Sequence, residues 1–524
     1  MTNKRTSAGK IAALILAAIG LAGFSAEDAR ADEQCPVRGG TFTIPFSPEP
    51  ADLTPGKNAQ YAPSLVFDQI YDTLLRRDRD GNLKPSLAAE YEIAPDYLSI
   101  TFKLRQGVSF HHGREFEAKD VVYSFERLLD PEFKSPWAAQ LGSVSKVEEV
   151  DKHTVKMSFK EPFAPILSIV ATAWYTAIVP YDFTPENNLN EKASGTGPFM
   201  LVEYLPDDHV SLKANPDYWE KGYPCLDEIR YNIITDPQAQ ISAFRQGSAD
   251  IVALADPKFI PILKSVEGAE LIEPPGAVNE SGLATNTAEG PTADVRVRRA
   301  LSLGMDRQAI IDTVLFGYGE VGTKISCGKV PFGWCDGVDE PLPYHEYDPE
   351  QARALLAEAG YPDGLDLPIQ VSLPLDVQTA EILAEQWKQI GVNLQIERIA
   401  DFNQQLDNYI NVKHQLSIVT LVWQPDPHSD VYQIYHSTSS INLGKFADSE
   451  LDALLDAGKS ELDIDKRIKI YKDVQRLMAD QAYMLYPFTK PVNWLFVKDY
   501  VENYNAMPSG SFSELRYTWL ENKQ

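Results

Sequence analysis

Two hydrophobic periodicities divide the chain. Residues 98–110 (LSITFKLRQGVSF) alternate, with Ile100, Phe102 and Leu104 on one face and polar side chains on the other. A period of two residues is typical of a strand with one buried face. Residues 147–159 repeat this alternation around a polar turn. The pattern therefore predicts strands and hairpins in the first half of the chain.

A period near 3.6 residues appears later. In YDPEQARALLAEAG, Asp348 is positioned as an N-cap, Pro349 as the first helical residue and Gln351 as the partner of a capping box, and Gly360 follows as a stop. The apolar positions predict a buried helical stripe made of Ala352, Leu355, Leu356 and Ala359.

The same order of signals recurs at 377–391, where a second helix is predicted. Its buried stripe comprises Ala380, Leu383, Ala384, Trp387 and Ile390, and Gly391 ends it. VNLQIERI then alternates as a strand, and QLSIVTLVW is a short apolar run typical of a buried strand. Helix and strand alternate through about 285–490, which predicts an α/β lobe, with a domain boundary near 280–290.

The segment LVWQPDPHSDVYQIYH, residues 421–436, begins at the end of that buried strand. Its two prolines exclude a central strand or a helix interior, so a loop is predicted. A surface turn, a metal site, a catalytic site or a pocket wall would each account for its aromatic and charged residues. Ligands bind beyond the carboxyl ends of strands in open α/β sheets, which favours the pocket wall.

The N-terminus has the three parts of a secretory signal peptide: a basic start, an apolar run at 11–24 and the small-residue site Ala29-Arg30-Ala31. The apolar run is shorter than the roughly 20 residues that span a bilayer. We predict cleavage after Ala31 and a periplasmic protein. The acidic residues before Cys35 argue against a lipoprotein.

Removal of this segment takes away four basic and two acidic residues, so the net charge changes from −27 to −29. Nucleic acid and anionic membrane surfaces are therefore excluded as expected partners. The four cysteines are an even number in an oxidising compartment. Cys327 and Cys335 bracket a Gly/Pro-rich loop and are predicted to pair, which leaves Cys35 for Cys225; free buried thiols are the alternative.

The sequence contains no GxSxG elbow, no phosphate-binding glycine loop and no HExxH or CxxC spacing. No catalytic residue, metal site or cofactor is predicted. A secreted hydrolase built from scattered carboxylates stays open as a remote alternative.

Residues 88–131, AAEYEIAPDYLSITFKLRQGVSFHHGREFEAKDVVYSFERLLDP, resemble the signature block of bacterial extracellular solute-binding proteins of family 5. These are the receptors of peptide, nickel and related ABC importers. Further blocks follow in the family's order along nearly the whole mature chain: GTGPFML, NPDYWEKGYPCLDEIRYNIITD, VRRALSLGMDRQAII, YDPEQARALLAEAGY and ADSELDALL.

The resemblance implies an α/β, two-lobed periplasmic-binding-protein fold with two hinge crossings and an extra subdomain in lobe one. After the signal peptide at 1–31, lobe one would comprise 32–283, with the subdomain at about 67–190. Lobe two would comprise 284–494, and 495–524 would return to lobe one. The lobes would close on a ligand without covalent chemistry.

The resemblance also implies the ligand contacts. Trp423 stands where the family's pocket tryptophan follows the buried strand, and Asn58 and Tyr61 stand where a lobe-one loop reaches the ligand. The aspartate that grips a peptide ammonium has no direct match, so Asp426 is the candidate replacement. His428 belongs to an Asp-Pro-His stretch similar to that of nickel-chelate receptors. Tyr435 is a further candidate contact, although it has helical spacing from Tyr432 and would equally suit a core.

The expected function is that of a monomeric receptor, not an enzyme, which captures peptides or peptide-like solutes and docks transiently on an inner-membrane ABC permease. Tryptophan and tyrosine also suit sugars and opine-like conjugates, so these stay open as alternatives, as does a nickel chelate.

Overall fold

The computed structural model describes residues 35–523 except 51, 58–60, 183–191, 273–278, 323–341, 423–425, 440 and 508–509. Among the described residues, no helix combines the length and the apolar character needed to cross a bilayer.

The strands follow in chain order: β1 (Thr41–Phe46), β2 (Leu75–Arg77), β3 (Leu83–Pro85), β4 (Ala88–Ile93), β5 (Ser99–Leu104), β6 (Val144–Asp151), β7 (Thr154–Phe159), β8 (Phe199–Leu205), β9 (His209–Ala214), β10 (Glu228–Ile233), β11 (Ile251–Leu254), β12 (Ala269–Ile272), β13 (Asn279–Thr285), β14 (Glu320–Val321), β15 (Leu365–Val371), β16 (Val392–Arg398), β17 (Leu416–Val422), β18 (Met484–Lys490), β19 (Trp494–Lys498), β20 (Val501–Glu502) and β21 (Trp519–Leu520).

The α-helices are α1 (Tyr61–Ile70), α2 (Ala118–Leu129), α3 (Ile166–Ile169), α4 (Ala173–Thr176), α5 (Pro237–Arg245), α6 (Ile260–Lys264), α7 (Val295–Leu303), α8 (Arg307–Val314), α9 (Pro349–Glu358), α10 (Pro374–Lys388), α11 (Phe402–Ile410), α12 (Gln433–Tyr435), α13 (Ser449–Ser460) and α14 (Ile464–Gln481). A π-helical turn, His428–Tyr432, precedes α12.

The first half of the chain is rich in strands, as predicted. One four-stranded sheet has the order β1-β10-β9-β8, and a second, antiparallel one has the order β4-β5-β7-β6. In β5, Ile100, Phe102 and Leu104 are buried while Lys103 is exposed, so the alternation places the predicted face inward. The hairpin of β6 and β7 turns at 152–153 and forms the other predicted repeat.

A six-stranded sheet, β14-β18-β13-β17-β15-β16, forms the centre of the second half. Helix α9 starts at the predicted N-cap, because the Asp348 carboxylate accepts hydrogen bonds from the backbone N–H groups of Glu350 and Gln351. The predicted capping box through Gln351 is wrong, since the Asp348 N–H donates to the Leu303 carbonyl instead. Helix α10 begins at Pro374, three residues before the predicted start. Its Trp387 is fully buried and donates its indole N–H to the Leu301 carbonyl, which ties α10 to α7.

The chain crosses twice between the sheets of the first half and the six-stranded sheet of the second half. One lies between β12 and β13, and the other between β18 and β19, because β19 pairs with β11 and β12 rather than with the six-stranded sheet. We call 35–272 with 494–523 the first lobe and 279–490 the second lobe. The predicted boundaries at 283/284 and 494/495 fall inside β13 and β19, at most about ten residues beyond these crossings, and the full domain limits stay a prediction.

The predicted disulfide between Cys35 and Cys225 is present and joins residues 190 positions apart. It fastens the segment before β1 to the segment before β10, and the Gly39 N–H donates to the Cys225 carbonyl beside it. The predicted pair of Cys327 and Cys335 lies outside the described residues.

Replacing both Cys35 and Cys225 with serine is expected to lower the free energy of unfolding by about 2–4 kcal/mol, because a long loop of the unfolded chain is no longer closed. Guanidinium unfolding followed by circular dichroism measures this. The comparison variant, Cys327→Ser with Cys335→Ser, removes the other predicted disulfide, which closes a much shorter loop and should lower the free energy of unfolding by less. An unchanged midpoint in the Cys35/Cys225 variant would contradict the expectation.

Candidate functional site

The candidate site lies at one edge of the six-stranded sheet. Strand β17 is parallel to β15, and β17 and β18 are both antiparallel to β13. The carboxyl ends of β17 and β18 therefore meet at the edge where β13 begins, and β15 runs toward the same edge. Both crossings to the first lobe leave from this edge. The segment 421–436 starts here, as the buried-strand pattern predicted.

A buried cation, Lys490, ends β18 at this edge and pairs with Asn279 of β13. Its side chain is 7% exposed, and its Nζ donates to the carbonyls of Pro491 (3.2 Å) and Val492 (3.5 Å). Burial lowers the pKa of Lys490 to about 8, against the opposing influence of Asp376 and Asp256. Those carboxylates come from the second and first lobes respectively, so Lys490 lies between the two lobes.

A buried acid, Asp376, lies in the first turn of α10, which follows β15. An aspartate there ordinarily faces solvent and stabilises the helix N-terminus. This one is 5% exposed, and burial raises the pKa of Asp376 to about 7 although Lys490 lies close enough to oppose the shift. Burying an ionisable group is costly unless a partner compensates, and such groups concentrate at functional sites.

Further polar groups complete the edge. Asn279 Oδ1 and Ser372 Oγ are buried and accept or donate no hydrogen bond among the described residues. Glu280, next in β13, is a second buried carboxylate, 1% exposed. Opposite charges and open hydrogen-bonding atoms at one edge suit a ligand that carries both a carboxylate and an amine. Among the described residues, no three His, Cys, Asp or Glu side chains are grouped to hold a metal ion.

Three predicted contacts cannot be placed at this edge. Trp423 and Asn58 lie outside the described residues, and the side chain of Tyr61, the first residue of α1, does so too. The three residues stay predicted ligand contacts.

Asp426 is held inside the second lobe. It is 2% exposed, and its two oxygens accept from Arg467 Nη1 (2.6 Å) and Nη2 (2.7 Å). Burial favours the neutral acid, but the guanidinium outweighs it, so the pKa of Asp426 lies below its usual value. Arg467 is fixed in turn, because its Nε donates to the Gly458 carbonyl at 2.7 Å. A ligand contact by Asp426 stays a prediction, and the ligand would have to share a carboxylate that Arg467 already binds.

His428 is packed between rings from both lobes. It is 6% exposed, with its ring centroid 5.6 Å from that of Phe163 in the first lobe and 4.7 Å from that of Tyr432. Burial lowers the pKa of His428 to about 3, so the imidazole is neutral at physiological pH. A contact with the ligand stays a prediction for this residue.

Tyr435 is packed in the core of the second lobe, which was the alternative indicated by its helical spacing from Tyr432. It is 1% exposed and stacks on Phe446 at 5.1 Å between ring centroids. Its hydroxyl lies 2.6 Å from that of Tyr486. A ligand contact by Tyr435 likewise stays a prediction.

Comparison with known proteins gives consistent matches. The family model described as "Bacterial extracellular solute-binding proteins, family 5 Middle" matches residues 82–444. Heme-binding protein A of Haemophilus influenzae is 29% identical over 499 residues, covering 86% of this chain and 88% of that protein. Di/tripeptide-binding protein 3 of Pseudomonas aeruginosa is 29% identical over 475 residues, covering 83% and 86%.

Among solved structures, the binding protein AgaA of A. tumefaciens R10, in complex with agropinic acid, matches with a TM-score of 0.79 and 26% identity. The match covers 93% of this chain and 99% of that one.

Proposed function

The chain belongs to the bacterial extracellular solute-binding proteins of family 5, and we propose that it captures peptides or peptide-like solutes between its lobes and delivers them to a membrane permease. It is a substrate-binding receptor with the two-lobed fold of the periplasmic binding proteins. The family consists of receptors rather than enzymes, and we infer that this chain catalyses no reaction.

The observation that carries the peptide proposal is the pair of opposite charges at the edge of the six-stranded sheet. A free peptide has an α-carboxylate at one end and an α-ammonium at the other. Lys490 offers a cation for the former and Asp376 an anion for the latter, both buried where charge–charge interactions are least screened by water. The relative named for di- and tripeptides supports the same class of solute.

An opine-like conjugate is the second candidate, because the similar protein AgaA was solved in complex with agropinic acid. Conjugates of a sugar and an amino acid also combine carboxylate and amine groups, and they would use the same two charges.

We further propose that residues 1–31 are a signal peptide cleaved after Ala31, and that the mature chain works in the periplasm without a lipid anchor. Mass spectrometry of the exported protein tests this, because the expected N-terminus is Asp32 and acylation would add mass at Cys35.

Identification of the bound compound tests the proposed function. The mature protein is purified gently from the periplasm and denatured, and the released compounds are identified by mass spectrometry. A set of short peptides supports the proposal. A single opine-like conjugate would replace it with the second candidate, and a heme or a metal chelate would refute both.

The affinity for trialanine is expected to fall by up to about tenfold for each pH unit below 7. Asp376 has a pKa of about 7 in the free receptor, and a ligand ammonium would lower it, so binding weakens as the carboxylate is protonated below pH 7. The peptide's own groups titrate near pH 3.5 and pH 8, outside this limb. Isothermal titration between pH 5.5 and 7.5 measures it. The Asp376→Asn receptor should bind trialanine more weakly, and its affinity should change little between pH 5.5 and 7.5. An unchanged pH dependence in that variant would refute the role of Asp376.

A further inference from the structure

We propose that a set of contacts between the lobes, distinct from the ligand contacts, forms a closing surface that holds the receptor shut. It consists of Gln140, Glu161, Phe163 and Ala164 in the first lobe and His428, Ser429 and Lys459 in the second. Asp426 and His428 would then be positioning residues for closure rather than ligand contacts.

Main-chain atoms join the lobes directly at this surface. The Ala164 N–H donates to the Lys459 carbonyl at 3.0 Å, although the two residues belong to different lobes. The Gln140 side chain, 2% exposed, donates from Nε2 to the Ser429 carbonyl at 3.3 Å. A hydrogen bond needs its donor and acceptor within about 3.5 Å of each other, so both bonds can exist only while these parts of the two lobes are together.

Charge and ring contacts surround these hydrogen bonds. Lys459 Nζ lies 2.9 Å from Glu161 Oε1, and the lysine side chain is only 13% exposed. Phe163 is 3% exposed and meets His428 edge to face. Separation of the lobes would expose these buried side chains to water, which favours the closed arrangement.

The buried ion pair of Asp426 and Arg467 positions the second-lobe side. The same Asp426 carboxylate accepts from the His428 N–H at 3.0 Å, which starts the π-helical turn carrying His428 and Ser429. Arg77 of the first lobe lies near enough to Asp426 for their charges to interact. The turn begins six residues after Val422, the last residue of β17, so it follows a strand that ends at the sheet edge.

The position of the Ala164 N–H makes the proposal directly testable by hydrogen exchange. The mature chain is compared as purified with its bound compound and after that compound has been removed by unfolding and refolding. Removal is expected to speed exchange at Ala164 at least tenfold. Equal exchange in the two forms would overturn the proposal, since the contact would then be permanent packing.

A variant with Gln140→Leu and Glu161→Gln removes two contacts without touching a predicted ligand residue. In the compound-bound form, we expect at least tenfold faster exchange at Ala164 and at least a threefold faster release of the compound. The control is Glu115→Gln, which removes a carboxylate of similar exposure (44% against 47% for Glu161) from an ion pair with Lys152 that lies within the first lobe. Exchange and release equal to those of the control would overturn the proposal. A bound compound other than a peptide would refute the proposed function and leave this test unchanged.

Discussion

Replacing Arg467 with methionine is expected to lower the free energy of unfolding by about 3–5 kcal/mol. The substitution leaves the Asp426 carboxylate buried, 2% exposed, without the guanidinium that now satisfies both of its oxygens. An uncompensated buried charge must either stay ionised at a large cost in solvation or take up a proton. Chemical denaturation at pH 7, followed by circular dichroism, measures the change.

The double variant Arg467→Met with Asp426→Asn isolates the cause. Asparagine removes the charge and keeps an oxygen for the His428 N–H, so at least half of the lost stability should return. The surface control Arg398→Met breaks an ion pair with Glu381 in which both side chains are more than half exposed, and it should cost less than about 1 kcal/mol. If the double variant is as unstable as Arg467→Met alone, the loss comes from packing and not from the orphaned charge.

Periodicity predicted the local elements of this fold well because it reports burial directly. The inward face of β5 and the N-cap of α9 follow from side-chain spacing within a few residues, and the structure has both. The disulfide followed from cysteine count once Cys327 and Cys335 were assigned to each other. The two-lobed arrangement came instead from the ordered family blocks, because spacing within an element says nothing about which sheet a distant strand joins.

The buried ion pair of Asp426 and Arg467 could not be predicted from the local sequence pattern. The two residues are 41 positions apart, and the aspartate stands between prolines in a segment that resembles a ligand loop. A signal did exist in α14, where Arg467 shares a helical face with Tyr471, Val474 and Met478, all of them buried. A buried arginine needs an anion, but the sequence does not say which of many carboxylates provides it.

Lys490 and Asp376 were missed for a related reason. Asp376 is two residues after a proline at a helix start, where an acidic residue has an ordinary stabilising role. Lys490 ends an apolar strand, where a lysine ordinarily marks the return to solvent. Only the order of strands β18, β13, β17 and β15 brings both to one edge, and strand order is set by long-range packing rather than by local spacing.

Replacing Lys490 with methionine is expected to weaken trialanine binding by about 100-fold or more, if the ammonium pairs with the peptide carboxylate. Loss of one partner from a buried charge pair typically costs 2–5 kcal/mol, and each 1.4 kcal/mol is tenfold in affinity. With a pKa of about 8, Lys490 is mostly charged at pH 7, where isothermal titration measures the dissociation constant. The control Lys498→Met removes another lysine that is 7% exposed, from β19 in the first lobe, and should leave affinity unchanged.

Trialanine amide separates a direct contact from a general loss of site structure, because it lacks the carboxylate. The unmodified receptor should bind the amide about 100-fold more weakly than trialanine, whereas the Lys490→Met receptor should bind both peptides equally weakly. Removal of the lysine and removal of the peptide carboxylate would then abolish the same interaction, because removing the second partner causes no further loss of affinity. If Lys490→Met still prefers the free acid by the full factor, another cation holds the carboxylate. Lys490 would then have a structural role at the crossing between the lobes, through its bonds to the Pro491 and Val492 carbonyls.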